Sequence, residues 1–270
     1  MNKHPFDIAT QIRLLDDGRF RGTTSPAYAN MAGPFGGFTA AILMRAVIEH
    51  PERTANPVAF TVNFCAALKD GNFNITVKLQ RSAKYTQHWS LELEQNGIVC
   101  ATATMICGAR ADVFSHQSGE PPQAPPPEAC EEMKTAGALN WLSRYKFRTV
   151  DGTIEFSSKP HSEPKSPRNI HWVSDHPERP LDYLSLAAIA DTFILRLLYV
   201  RGTIAPMGTV SMTTYFHTTG EELARQGSEP LLGVATAERF HGNFHDQSMT
   251  LWGKDNLLLA SGTQLVWYKA

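Results

Sequence analysis

Twice in this chain a long apolar run, suited to a helix with no polar face, is followed by a series of strand-like segments. That repeat constrains the fold more than any other feature. The first run, Gly36 to His50, carries Phe38, Ala41, Ile42, Leu43, Ala46, Val47 and Ile48. The second, Leu181 to Val200, is apolar nearly all round. A helix with no face to offer water is buried, so each run must be wrapped. The segments "VAFTVNF", "NFNITVKLQ", "HWSLELEQ" and "IVCATATMI" follow the first run. "GTVSMTTYF", "LLGVATAERF", "QSMTLWG" and "LLLASGTQLVWY" follow the second. All are rich in β-branched or alternating residues. "QNG" and "KDN" supply hairpin turns at corresponding places, and the final hairpins match as well, "SLELEQNGIVCATAT" against "SMTLWGKDNLLLASGT". The expectation is a duplicated α+β unit, a helix followed by an antiparallel sheet. "PPQAPPP", residues 121–127, can continue neither a helix nor a central strand and reads as the joint. The expected division is an N-terminal unit over 1–112, a Pro-rich linker over 113–138 and a C-terminal unit over 139–270.

Other classes are disfavoured by composition. A net charge of −1 with no basic cluster argues against nucleic-acid binding, which depends on neutralising phosphates. Cys65, Cys100, Cys107 and Cys130 show no C-x-x-C spacing, and three of them sit in apolar segments as reduced core thiols. The first residues hold no uninterrupted apolar stretch of the kind that marks a secretory signal. The most membrane-like stretch, Tyr183 to Val200, contains Asp191 and Arg196, and a central Asp is costly in lipid. A soluble, cytoplasmic protein without membrane insertion is expected. No G-x-S-x-G, G-x-G-x-x-G, H-E-x-x-H or Walker motif is present. His241 and His245 in "HGNFH" lie four apart but between strands, too few ligands for a metal site.

Two places carry chemistry. In "LAAIADTFILRLL", every near neighbour of Asp191 on a helix is apolar or small. Arg196 is the one arginine on that helix, and at i+5 it points roughly 140° away. A carboxyl buried without a partner has its pKa raised by desolvation, and such groups cluster at functional sites. The second place is "AGPFGGFTAAILMRAV", residues 32–47, which opens the first helix with glycines. Glycine costs roughly 0.5–1 kcal/mol against alanine in a regular element. Gly36 and Gly37 therefore have one of two uses: close packing of the backbone, or a helix N-terminus open to something negative.

Five features together resemble the acyl-CoA thioesterase II-like family: "GPFGG", "LQRSAKY", Asp191 inside the second helix, "GTVSMTTYFH" and "LLLASGTQLVWYK". The resemblance covers most of both halves but not residues 110–140. It implies a double hotdog, two tandem units each with a central helix wrapped by an antiparallel sheet, and hydrolysis of acyl-CoA thioesters without metal or organic cofactor. The family's Asp, Thr and Gln, which bind and activate one water, carry over to Asp191, Thr209 and Gln264. Read without the family, Thr209 is a good strand former and Gln264 a strand residue facing water. Aligning "CATATM" with "LASGTQ" sets Met105 opposite Gln264, and the first helix has no acid between Gly36 and Ile48. One site per chain follows.

The resemblance also implies donors for a developing oxyanion, and the N–H groups of Gly36 and Gly37 are the candidates. Relatives often carry an Asp-His pair just after the threonine and a basic residue after "FH". Here those positions hold Ser211, Met212 and Thr218. Arg81 and Lys84 remain as contacts for the phosphates of acyl-CoA. A homodimer is expected because open sheet edges tend to be paired or covered. The alternative function is a non-catalytic acyl-thioester binding protein on the same fold. A hotdog dehydratase ranks last, since it needs a His beside an acid and neither helix offers one before His50.

Overall fold

A computed structural model describes residues 3–135 and 139–269. The first half contains α1 (Pro5–Ala9), β1 (Ile12–Leu14), β2 (Phe20–Thr23), β3 (Ala29–Asn30), β4 (Gly33–Pro34) and α2 (Gly36–Ile48). Four long strands follow: β5 (Asn56–Phe64), β6 (Asn72–Ser82), β7 (Thr86–Gln95) and β8 (Ile98–Gly108). The second half contains β9 (Glu131–Glu132), β10 (Tyr145–Asp151), β11 (Asn169–Asp175), α3 (Tyr183–Ile189) and α4 (Arg196–Arg201). It continues with β12 (Met207–Phe216), α5 (Gly220–Gln226), β13 (Leu231–Thr236), β14 (Phe240–His241), β15 (Phe244–Trp252) and β16 (Leu258–Tyr268).

One antiparallel sheet runs through both halves in the order β1-β2-β6-β7-β8-β5-β12-β16-β15-β13-β11-β10-β9. The order is mirrored about the β5–β12 seam, where Ser211 to Tyr215 pair with Asn63 to Ala59. Each half is thus the same unit, and the duplicated α+β, double-hotdog expectation holds. In α2 every residue except Gly36, Arg45 and Ile48 is buried. Side chains from α2, α3 and the concave face of both half-sheets merge into one core. None of the helices among the described residues is long and apolar enough to cross a membrane.

The second central helix departs from expectation. The single helix expected over 181–200 is two, α3 and α4, with an irregular turn between them. The chain tightens at the end of α3, where Asp191 N–H bonds Ala188 O and Thr192 N–H bonds Ile189 O. The Thr192 hydroxyl donates to that same Ile189 carbonyl at 2.8 Å, a second bond that holds the tightened turn. Hydropathy cannot show such a break, because "DTFIL" is as apolar as its flanks. Asp191 therefore sits just beyond a helix C-terminus rather than mid-helix.

The proline-rich joint crosses the outer side of the second half. Trp172 Nε1 donates to Pro125 O at 2.9 Å, and Gln117 Oε1 accepts from Leu258 N at 2.8 Å. Its last part differs from a linker, since Glu131 and Glu132 pair with Thr149 and Arg148 of β10. Residues 136–138 of the expected linker lie outside the described residues. The sheet ends on β1 and β9, of 3 and 2 residues. Edges this short are partly blunted.

Candidate active site

The two glycines that open α2 meet Asp191 and the end of α3. Phe35, at the N-cap of α2, offers no side-chain cap. The Asp191 carboxylate approaches that place from the other half of the chain, near enough for the Gly37 N–H to favour its charged form. A Cβ on Gly36 would stand 2.6 Å from Asp191 Oδ2, and one on Gly37 would stand 2.5 Å from the Ala188 carbonyl oxygen. Close packing is one use of the glycines, since α2 lies directly on α3, and the carboxylate stands near the positive end of α2. The Gly37 N–H was expected to face a substrate oxyanion. The nearness of Asp191 to both N–H groups leaves Gly36 and Gly37 the candidate donors.

Two further residues complete the centre, one bonded to the carboxylate and one bonded to the first. Gln264 Nε2, from β16, donates to Asp191 Oδ1 at 2.8 Å. Thr209 Oγ1, from β12, donates to Gln264 Oε1 at 3.1 Å. Thr209 immediately precedes a register shift between β12 and β16, a bulge of the kind that re-aims a side chain beside a site. Gln264 is buried, contrary to the solvent-facing reading of a strand glutamine. Asp191 and Thr209 are half-buried and keep some exposure.

Burial in this setting raises the Asp191 carboxyl from its ordinary 3.8 to about 7, while the hydrogen bonds from Gln264 and Gly37 pull the other way. Tyr145 on β10 senses the same charge; its phenol is pushed well above its ordinary value, chiefly by burial. Arg196 turns away from Asp191, as expected, but by a different route from helical geometry. It lies in α4 and bonds Gln247, Asn169 and the Pro167 carbonyl.

The Gln264 amide is fully used. Its Nε2 donates to Asp191 Oδ1 and, at 3.5 Å, to Met212 Sδ. Its Oε1 accepts from Thr209 and, at 3.4 Å, from Gln247 Nε2. An amide has two donors and two lone pairs, so none is spare. The open capacity of the centre lies in the Asp191 carboxylate and in the acceptor side of the Thr209 hydroxyl. Gln247 was missed by the sequence reading, for nothing distinguishes a buried strand glutamine from an exposed one.

In the first half, Met105 pairs with Phe60 just as Gln264 pairs with Met212. Met105 is buried and apolar, so the trio has no counterpart there. Arg81 and Lys84 lie at the exposed β6–β7 turn, with Lys84 Nζ 5.1 Å from the Tyr85 ring centre. They share no hydrogen bond with the trio. His241 is exposed on β14 and His245 is buried, and the described residues hold no cluster of three metal-binding side chains.

Comparison with known families agrees with this architecture. Residues 25–108 match the acyl-CoA thioesterase N-terminal domain, and residues 126–268 match the acyl-CoA thioesterase C-terminal domain. The chain belongs to the acyl-CoA thioesterase family. Both domains occur in the order of the two units, and the C-terminal match begins within the proline-rich stretch, leaving residues 109–125 unmatched between them. A hot dog fold protein of unknown function from Alicyclobacillus acidocaldarius superposes with a TM-score of 0.94 at 39% identity. That match covers 100% of this chain and 99% of the other. The acyl-CoA thioesterase II TesB2 of Mycobacterium marinum gives a TM-score of 0.77 at 15% identity, covering 98% and 97% of the two chains. The tesB protein of Mycobacterium avium subs paratuberculosis gives 0.76 at 15%, covering 98% of each. At such identities the last two speak for the fold. No curated protein matches the sequence.

Proposed function

We propose that this thioesterase-family chain hydrolyses acyl-CoA thioesters to the free acid and coenzyme A, using a water activated by Asp191. The observation that carries the reading is the Asp191 carboxylate itself. It is raised to about 7 and held by Gln264 and Gly37, yet it remains partly reachable. A base with a pKa near the working pH is well matched to proton transfer. Asp191 takes a proton from the attacking water, and the Thr209 oxygen accepts the second hydrogen of that water. Gln264 acts on both residues, fixing the carboxylate with its NH2 and the hydroxyl with its carbonyl. The N–H groups of Gly36 and Gly37 at the start of α2 stabilise the oxyanion that develops on the thioester carbonyl. Collapse of the tetrahedral intermediate expels the thiolate, which takes the proton back from Asp191. The phosphate-contact role of Arg81 and Lys84 stays part of this proposal, carried by the resemblance alone.

The experiment is release of free thiol from a panel of acyl-CoA chain lengths. Turnover of at least one chain length is expected; acyl-CoA that binds but is never cleaved would favour the non-catalytic reading. Because the base must be ionised, kcat/KM should rise with pH through an apparent pKa near 7 and level off above it. A rate independent of pH between 5 and 8 would contradict the assignment of Asp191 as base. Thr209→Val and Gln264→Ala should each lower kcat by up to about 10²-fold through lost positioning. Combining either with Asp191→Asn should add little further loss, as with residues that act as a unit.

A further inference from the structure

Arg196 is a wholly buried cation whose acceptors are uncharged oxygens. Its Nε donates to Gln247 Oε1 at 3.2 Å, and its Nη1 donates to Asn169 Oδ1 at 2.5 Å and to the Pro167 carbonyl at 3.2 Å. Its Nη2 donates to the Ile194 carbonyl, and its Cζ lies 4.3 Å from the Tyr199 ring centre. Burying a guanidinium without a carboxylate is costly in general. Such a residue should serve something that a neutral side chain cannot.

Its distinctive property is that it only donates. The atom of Gln247 that faces it must be the amide oxygen, which turns the Gln247 NH2 the other way. That NH2 donates to Gln264 Oε1 at 3.4 Å and to the Phe193 carbonyl at 3.5 Å. Because Gln247 presents a donor, Gln264 must in turn face it with oxygen, and its own NH2 then faces Asp191 at 2.8 Å. An amide can rotate by half a turn at little steric cost, and its network decides which end goes where. Gln247 and Gln264 are direct cross-strand partners on β15 and β16, so the order passes across a single register pair. The Phe193 carbonyl resists reversal only through a long 3.5 Å contact, so loss of the donor at the far end leaves both amides much freer to reverse together. Gln264 would then set its oxygen against the Asp191 carboxylate.

We infer that Arg196 and Gln247 are positioning residues for the Asp191 centre, fixing the direction of two amides in series so that Gln264 always offers Asp191 a donor. The inference rests on the proposed role of Asp191 as base, and it deepens that reading.

The test is Gln247→Glu. The side chain keeps its length and gains an ion pair with Arg196, so the fold should survive with an unchanged or higher melting temperature. Its second oxygen faces Gln264 Oε1 and draws the Gln264 NH2 away from Asp191. kcat should fall about 10- to 100-fold with KM within about threefold, a misplacement rather than a binding effect. The Asp191 carboxyl, having lost a donor that holds it down, should titrate at higher pH. Infrared difference titration reads this directly, with the Asp191 band assigned through Asp191→Asn, and it needs no substrate. In a Gln264→Ala background, Gln247→Glu should have no further effect on kcat. If Gln247→Glu does not fold, Gln247→Met, which keeps the length and removes the donor to Gln264 Oε1 without attracting its NH2, should lower kcat by about 3- to 10-fold with KM unchanged. Unchanged Asp191 titration together with unchanged kcat would overturn the inference, as would an equal loss in the Gln264→Ala background. If the parent protein cleaved no acyl-CoA, the proposed function would fail, while the infrared shift would still decide the positioning role.

Discussion

Asp191→Asn is expected to lower turnover of a preferred acyl-CoA by about 10²–10⁴-fold, the usual range for losing a general base. Asparagine keeps the size of the side chain, and its oxygen can still accept from Gln264 or from the Gly37 N–H at the start of α2. It cannot take a proton from water. Stability should move the opposite way, and the sign follows from the carboxyl's own titration. Between its ordinary 3.8 and about 7 the folded protein holds a proton on Asp191 that the unfolded chain has released. Stability from this group is therefore lost as pH rises through that window and is level above it. Asparagine has no such dependence. The variant should gain stability relative to the parent between pH 5 and pH 8, by roughly 1–3 kcal/mol once partial exposure is discounted. Steady-state kinetics with thermal melts at both pH values checks the pair of effects. Loss of activity accompanied by a lower melting temperature at pH 8 would point to a structural role instead.

The second large effect concerns the glycines at the entrance to α2, where two adjacent substitutions should fail differently. Gly37→Ala places a Cβ 2.5 Å from the backbone carbonyl of Ala188 and 2.6 Å from the Phe35 ring. The Ala188 oxygen belongs to α3 and cannot swing aside, so the two central helices must part. Overpacking of this kind costs typically about 1–3 kcal/mol, which outweighs the gain in helix propensity of up to about 1 kcal/mol. A melting temperature lower by several degrees is expected. Gly36→Ala meets the Asp191 Oδ2 atom instead, at 2.6 Å, with Phe64 Cζ next at 3.3 Å. A side-chain carboxylate can be displaced, so the fold should tolerate the change better. Displacing it moves the base, and kcat should fall by about 10²-fold for a shift of an ångström. Melts and kcat for both variants separate these outcomes. Equal melting temperatures and equal rates would show that the glycines are interchangeable with alanine.

Much of this architecture was legible because it is written in periodicity. β7 ends at Gln95 and β8 begins at Ile98, where "HWSLELEQ" and "IVCATATMI" end and begin around the turn "QNG". The duplication was legible because both halves must solve the same problem, covering a helix that has no polar face. The hairpin β1–β2 and the pair β10–β11 were not read, the former because three- and four-residue strands carry too little pattern. The break after Ile189 was hidden in a run that is apolar on both sides of it. Asp191 was found for a sound reason, a carboxyl among apolar neighbours, although its helical surroundings were wrong. Thr209 and Gln264 needed the family resemblance. Their meeting depends on a bulge in β12 and on which face of β16 is inward, and neither is local to the residues themselves. Arg196 was weighed only as a partner for Asp191. Its link to the site through Gln247 spans 51 residues of sequence between strand and helix, beyond any local signal.

Single-turnover hydrolysis of an acyl-CoA in ¹⁸O-labelled water, with the protein in excess, tests the central claim most directly. If Asp191 draws a proton from the water that attacks the thioester, the acid released in the first turnover carries one ¹⁸O and Asp191 remains unlabelled. Unlabelled acid, with ¹⁸O found in the Asp191 carboxylate, would show that Asp191 attacks the thioester itself and would contradict the account.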